Sequence, residues 1–89
     1  MPDHNTTPPF GKILRALREE RRLTLDEAGR KSRLSPNYIG DVERGVRNPT
    51  LKVVSRILAG LRVTWAEFGV RVDEADTISE DSDKLGPAA

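Results

Sequence analysis

Four apolar side chains, Phe10, Ile13, Leu14 and Leu17, recur at i, i+3, i+4 and i+7, the spacing that lines one face of an amphipathic helix. Lys12, Arg15, Glu19 and Glu20 take the opposite face. A first helix is predicted to start around Thr7-Pro8-Pro9, because a proline in the first turn gives up an N–H that has no helical partner. Thr24-Leu25-Asp26-Glu27 has the form of a capping box and opens a short second helix running to about Ser32. A break follows at Arg33-Leu34. Ser35-Pro36 then starts a third helix, with serine as N-cap and proline as first residue. It turns Ile39 and Val42 inward and ends near Gly45. Asn48-Pro49 repeats the start signal, and Leu51, Val54, Ile57, Leu58 and Leu61 form the stripe of a fourth helix. Thr64-Trp65-Ala66-Glu67 is a second capping box, with Val63 and Phe68 placed as a hydrophobic staple. It opens a fifth, short helix. Val70 and Val72 alternate with their neighbours too briefly to settle a strand, and there are no internal repeats.

The pattern therefore predicts one all-α domain of five short helices over residues 9–72. A flexible arm, residues 1–8, precedes it, and an acidic segment, residues 73–89, read as disordered, follows. Eighty-nine residues, of which 36% are hydrophobic and four aromatic, suit a small aliphatic core and no more than one domain. No stretch approaches the roughly 18 apolar residues of a membrane span, and the N-terminus lacks the apolar core of a signal peptide. With no cysteine there is no disulfide framework, thiolate metal site or cysteine nucleophile. The cytoplasm is the default compartment.

The net charge of +1 conceals a split. Residues 73–89 hold Asp73, Glu74, Asp76, Glu80, Asp81 and Asp83 against Lys84, a charge of −5, which leaves +6 on the other residues. A basic body with an acidic tail points to an anionic partner; a solvated surface with a solubilising tail accounts for the same numbers.

Function is concentrated between Leu23 and Leu51. Two short helices joined by a tight turn, the second opening with small polar residues, make a unit whose second helix fits the DNA major groove. Gly29 sits where the two helices approach, and a side chain much beyond alanine would push them apart. Within this segment, Tyr38-Ile39, Val42-Glu43-Arg44-Gly45 and Arg47-Asn48-Pro49-Thr50-Leu51 match the run Y-I-x-x-I-E-R-G-x-R-x-P-S-L. The chain here resembles the phage repressor and Cro-like helix-turn-helix regulators, also called the xenobiotic-response-element type. The resemblance spans roughly Phe10 to Phe68. In size and in this run the chain is also similar to the small controller proteins of restriction–modification systems.

The resemblance implies a lambda-repressor-like bundle and a bacterial transcriptional regulator that binds double-stranded DNA. It implies an ion pair between Arg18 and Glu43 tying the first helix to the third. It implies a groove-facing surface of Ser35, Pro36, Asn37, Tyr38, Gly40 and Asp41. Asn37 is the best candidate base reader, since its amide pairs bidentately with adenine. Asp41 either accepts from a cytosine amine or forms a salt bridge to Arg44 or Arg47. Pro36 presses on a thymine methyl or simply starts the helix. Gly40 marks either close approach to DNA or a poorly filled helix. Arg44, Arg47 and Asn48 are expected on phosphates, as are the N–H groups around Thr24 and Leu25 at a helix N-terminus. Arg33 stands where a turn glycine is usual and is placed to reach a phosphate, while Arg62 replaces another usual glycine with Gly60 two residues earlier. Between Ser35 and Val42 there is no arginine or lysine, so strong guanine reading is not expected and DNA shape must carry part of the specificity.

One short reading helix makes few base contacts, so a homodimer is expected, pairing through Val63, Trp65, Phe68, Val70 and Val72. Core closure is the other role open to Val63 and Phe68. The alternative class is a protein-interaction module of antitoxin type, whose acidic tail folds on a partner protein. An enzyme is not expected. One histidine, His4, and no cysteine, phosphate-binding glycine loop or Ser/His/Asp set leave no catalytic residues, metal ligands or cofactor to assign.

Overall fold

The computed structural model describes residues 9–75. Along them run α1 (Phe10–Glu20), α2 (Leu25–Ser32), α3 (Pro36–Glu43) and α4 (Leu51–Leu61), followed by α5 over residues 65–75. No strand occurs among the described residues, and none of their helices is long and apolar enough to cross a membrane. The all-α, five-helix architecture is the one the hydrophobic periodicity predicts. The expected arm, residues 1–8, and the acidic segment from residue 76 onward lie outside the described residues.

Helix starts follow local chemistry. Pro9 precedes α1, and its carbonyl accepts from the Ile13 N–H at 3.1 Å. At α2 the capping box is complete: Thr24 Oγ1 accepts from the Glu27 N–H at 3.1 Å, and Glu27 Oε1 accepts from the Thr24 N–H at 2.8 Å. Ser35 caps α3 by accepting from the Tyr38 N–H at 3.0 Å, with Pro36 as the first helical residue. The fourth helix departs from expectation. Its cap is Thr50, whose Oγ1 accepts from the Val53 N–H at 3.2 Å, so the Asn48-Pro49 signal lies ahead of the true start. Leu51 consequently opens the helix facing solvent, 77% exposed, and is not part of the core stripe. At α5 only half of the second capping box forms. Thr64 accepts from the Glu67 N–H at 3.0 Å, but the Glu67 carboxylate turns to Arg21, 3.4 Å away.

α5 is also longer than expected and runs through Asp73, Glu74 and Ala75. Two interactions extend it. Val72 and Ala75 pack against the core, and Arg71 bonds Glu20 of α1 at 2.6 Å. The domain boundary drawn at Asp73 therefore falls inside a helix.

The core is aliphatic. Ile13, Leu14 and Leu17 of α1 meet Ala28, Ile39 and Val42 of α2 and α3, Val54, Ile57, Leu58 and Leu61 of α4, and Val63 and Phe68 at the entry to α5. α2 packs on both α3 and α4, while α1 rests on α3. Gly29 is needed where α2 meets the turn: a Cβ there would stand 2.6 Å from the Leu34 carbonyl oxygen, too close even for alanine. Gly60 has the same role at the crossing of α4 over α2, where a Cβ would collide with Ser32 Oγ. It does not end α4. Three arginines in the left-handed region end helices instead, Arg22 (φ 57°), Arg33 (φ 59°) and Arg62 (φ 60°). Each is a conformation that costs an L-residue about 1–2 kcal/mol.

Candidate nucleic-acid interface

The helix-turn-helix is α2, the Arg33-Leu34 turn and α3. Its frame is held from behind by Arg18, whose Nε and Nη2 donate to the two Glu43 carboxylate oxygens at 2.7 and 3.0 Å, and whose Nη1 donates to the Leu23 carbonyl at 2.7 Å. Both side chains are largely buried. The pair expected from the resemblance is present, and the bond to Leu23 adds the loop before α2 to it. The Glu43 hydrogen bonds raise the Arg18 pKa above its ordinary value against the opposing effect of burial.

With its rear anchored, α3 turns the other face outward. Asn37 is exposed, and its side chain makes no hydrogen bond among the described residues. Ser35 is exposed too. Its oxygen is occupied by the Tyr38 N–H, but the hydroxyl hydrogen remains to donate. Pro36 and Tyr38 are half-buried, which fits the helix-starting role for proline. Arg33, Arg44, Arg47 and Asn48 are all exposed.

The structure gathers the second half of α3 and the following loop into one cluster. Asp41 accepts from Arg44 Nη2 at 2.5 Å and stands 3.5 Å from Arg47 Nε. The Arg47 guanidinium also lies 5.8 Å from the Tyr38 ring centroid, within range of a cation–π attraction. Of the two roles open to Asp41 in the sequence, the salt bridge is the one formed here, and to both arginines. The glycine question is likewise narrowed. Gly40 is buried beneath the Arg44 side chain and Leu25, so its backbone is not the open surface that close approach to DNA would use.

At the α2 end, one of the expected anion-binding donors is already engaged, because the Thr24 N–H is taken by Glu27. Leu25 is half-buried and packs against the core, leaving its backbone rather than its side chain to meet a ligand. Lys12 was not among the expected contacts. It lines an open cleft with Arg44, Arg47 and Asn48 between the start of α1 and the α3–α4 loop. The only trace of this in the sequence is its place on the polar face of α1.

The residues expected to pair two copies are divided. Val63 and Phe68 are buried in the core, which corrects their assignment to a dimer surface: staple geometry turns both inward. Trp65 is 48% exposed, its ring edge-on to Phe68 at 6.1 Å. Together with Leu51, Val72 and Phe10 it lines an apolar hollow. Val70 is exposed but sits about 140° around the helix from Trp65 at 100° per residue, so it does not share that hollow.

Comparison with known proteins agrees with this geometry. A family model described as helix-turn-helix matches residues 14–68. An uncharacterized HTH-type transcriptional regulator of Mycobacterium tuberculosis is 35% identical over 61 residues, 68% of this chain and 44% of that protein. The immunity repressor protein of Bacillus phage phi105 is 34% identical over 53 residues, 60% of this chain and 37% of that protein. A further uncharacterized HTH-type transcriptional regulator, from Sinorhizobium fredii, is 34% identical over 64 residues, 72% of this chain and 83% of that protein. The chain thus spans less than half of the first two relatives. Among solved structures, the restriction–modification controller protein C.Esp1396I superposes with a TM-score of 0.76 at 26% identity, covering 82% of this chain and 95% of the controller. The anchored α2–turn–α3 unit and these matches lead to one conclusion: the chain belongs to the helix-turn-helix family of transcriptional regulators.

Proposed function

We propose that this chain binds double-stranded DNA sequence-specifically, laying α3 in the major groove of a near-palindromic operator as a homodimer. The observation that carries the reading is the outward face of α3. A side-chain amide, Asn37, stands exposed on it, and the cations Arg44 and Arg47 follow directly. Asn37 pairs with an adenine edge, while Arg33, Arg44, Arg47, Asn48 and the Ser35 hydroxyl take phosphates. The free N–H groups at the start of α2, next to Leu25, offer a further phosphate seat. Pro36 and Tyr38 supply apolar contact beside the amide. Sequence-dependent DNA shape completes the specificity, since α3 carries no cation that reads guanine. Its place of action is the cytoplasm.

The second copy covers the hollow at Leu51, Trp65 and Val72, where a tryptophan half exposed beside a leucine supplies the apolar centre of an interface. Two copies so paired present two α3 helices to half-sites about one helical turn apart. Footprinting on the DNA upstream of the protein's own gene tests the reading. Two protected windows related by a dyad support it. Absence of protection at any protein concentration, with random duplex binding equally well, refutes it.

A further inference from the structure

The carboxylate of Asp41 lies on the face of α3 assigned to DNA, and it already engages two of the three arginines assigned to phosphates, Arg44 and Arg47. Its Oδ1 accepts from Arg44 Nη2 at 2.5 Å and its Oδ2 stands 3.5 Å from Arg47 Nε. The arrangement is built rather than incidental contact between mobile side chains. The N–H groups of Val46 and Arg47 both bond back to the Asp41 carbonyl oxygen, at 2.9 and 3.3 Å, so the loop carrying Arg47 is folded onto Asp41 itself. Tyr38 supports the same guanidinium from the side, 5.8 Å from its ring centroid. Gly40 provides the seat for Arg44. A Cβ at Gly40 would stand 3.1 Å from Arg44 Nη1, and the three atoms nearest to it all belong to the Arg44 and Leu25 side chains. The fold itself therefore does not require glycine at this position. An added methyl group would press only on the tip of the Arg44 side chain.

From this cluster, and resting on the proposed DNA reading, we infer that Asp41 acts through Arg44 and Arg47 as an internal substitute for phosphate, a device that lowers the chain's affinity for any duplex. Carboxylate and phosphate oxygens compete for the same guanidinium donors. On an arbitrary duplex each arginine must exchange one anion for another, so the gain from phosphate contact is largely cancelled. The Asp41 charge, once released, also faces the backbone. Non-specific affinity comes almost entirely from phosphates, so this exchange removes much of what holds the chain on an arbitrary duplex. A cognate duplex bears the same exchange and retains binding through base-edge contacts at Asn37.

The test measures binding of wild type, Asp41→Asn and Gly40→Ala to a short random-sequence duplex and to the protected upstream duplex, across a range of salt concentrations. Thermal melting shows that each variant is folded. Asp41→Asn is expected to bind random duplex about tenfold more tightly at low salt, with a slope of log affinity against log salt steeper by about one per subunit. Affinity for the upstream duplex rises by a similar factor. Gly40→Ala leaves Asp41 in place and only nudges the Arg44 guanidinium, so it should change binding far less than Asp41→Asn does. Random-duplex affinity and salt slope unchanged in Asp41→Asn overturn the inference while leaving the DNA reading intact. So does a preference altered at one base pair with no change on random duplex, which makes Asp41 a base reader. If wild type binds neither duplex at low salt, the DNA reading fails and the inference with it.

Discussion

Arg18 of α1 holds Glu43 at the end of α3 through two hydrogen bonds, with a third from the same guanidinium to the Leu23 carbonyl. The three contacts join the elements on either side of the helix-turn-helix, and the pair is nearly withdrawn from solvent. Removing one member strands the other as a buried charge, at a cost of about 3–5 kcal/mol. Domains of this kind have about 5–15 kcal/mol in total. Glu43→Ala should therefore lower the urea midpoint severely. Replacing both residues, Arg18→Met with Glu43→Leu, should cost less than the single change. A Glu43→Ala penalty below about 1 kcal/mol, the range of exposed ion pairs, would show that the pair is not structural.

Arg33 and Arg62 both end helices in the left-handed region, at φ 59° and 60°, but only Arg33 lies next to α3. Arg33→Gly and Arg62→Gly should each raise stability by about 1 kcal/mol, the relief of left-handed strain less the chain entropy glycine adds. DNA affinity should separate them. Arg33→Gly should bind more weakly despite its higher stability, and Arg62→Gly should bind as wild type does. Equal affinities in the two variants would remove Arg33 from the phosphate contacts.

Much of this architecture was legible because its determinants are local. The Thr24–Glu27 box and the Ser35-Pro36 start each involve residues within one turn, and both form as read. The failures have physical causes. Asn48-Pro49 imitates a helix start, but Thr50 has the hydroxyl that reaches the Val53 N–H, so the helix begins later and Leu51 is turned outward. Asp73 and Glu74 suggest a tail, yet the bond from Arg71 to Glu20 joins residues 51 apart and carries α5 past them. The site divides in the same way. The Arg18–Glu43 pair could be read because the family resemblance supplied it. The Asp41–Arg44 bridge spans i and i+3 and was legible in the sequence as one of two open roles. The simultaneous hold on Arg47, and the approach of Arg47 to the Tyr38 ring, depend on the path of the loop.

Acid should weaken the fold through two carboxylates. Glu20 is held below its ordinary pKa of 4.5 by the hydrogen bond from Arg71, and Glu27 by bonds from the Thr24 N–H and hydroxyl. A carboxylate with a depressed folded-state pKa contributes its stability above the unfolded value and loses it as pH falls through the folded one. The urea midpoint should therefore hold steady from neutral pH down to about 5 and decline below about 4.5. A Glu20→Gln, Glu27→Gln double variant should be less stable at neutral pH and decline less steeply. An acid limb as steep as that of wild type would contradict the assignment.

Two changes near α3 should have opposite signatures. Arg47→Ala should weaken binding to every duplex, but by less than loss of an unpaired arginine would, because Asp41 already holds it. It should flatten the salt dependence by less than about one unit of slope per subunit. Asn37→Ala should leave the salt slope alone and relax preference at one base pair per half-site, at a cost of about 1–3 kcal/mol for that base. Competition titrations with single-base variants of the protected duplex distinguish the two. Normal binding by both would mean that the groove-facing surface is misplaced.

Trp65 should govern assembly. Trp65→Glu places a charge in the apolar hollow shared with Leu51 and Val72, and should shift sedimentation from dimer to monomer while the fold, whose core it does not enter, persists. Operator affinity should fall with it. A dimer that survives this change would have to pair through another face.

The most direct measurement is a chemical-shift titration of isotope-labelled protein with the footprinted duplex. The largest changes should fall on the amides of Ser35 to Asp41, on the Asn37 side-chain amide and on Arg44 to Asn48, with the Trp65 indole signal unmoved once dimerisation is saturated. Changes confined to α5, or none across α3 at saturating duplex, would contradict the placement of α3 in the groove.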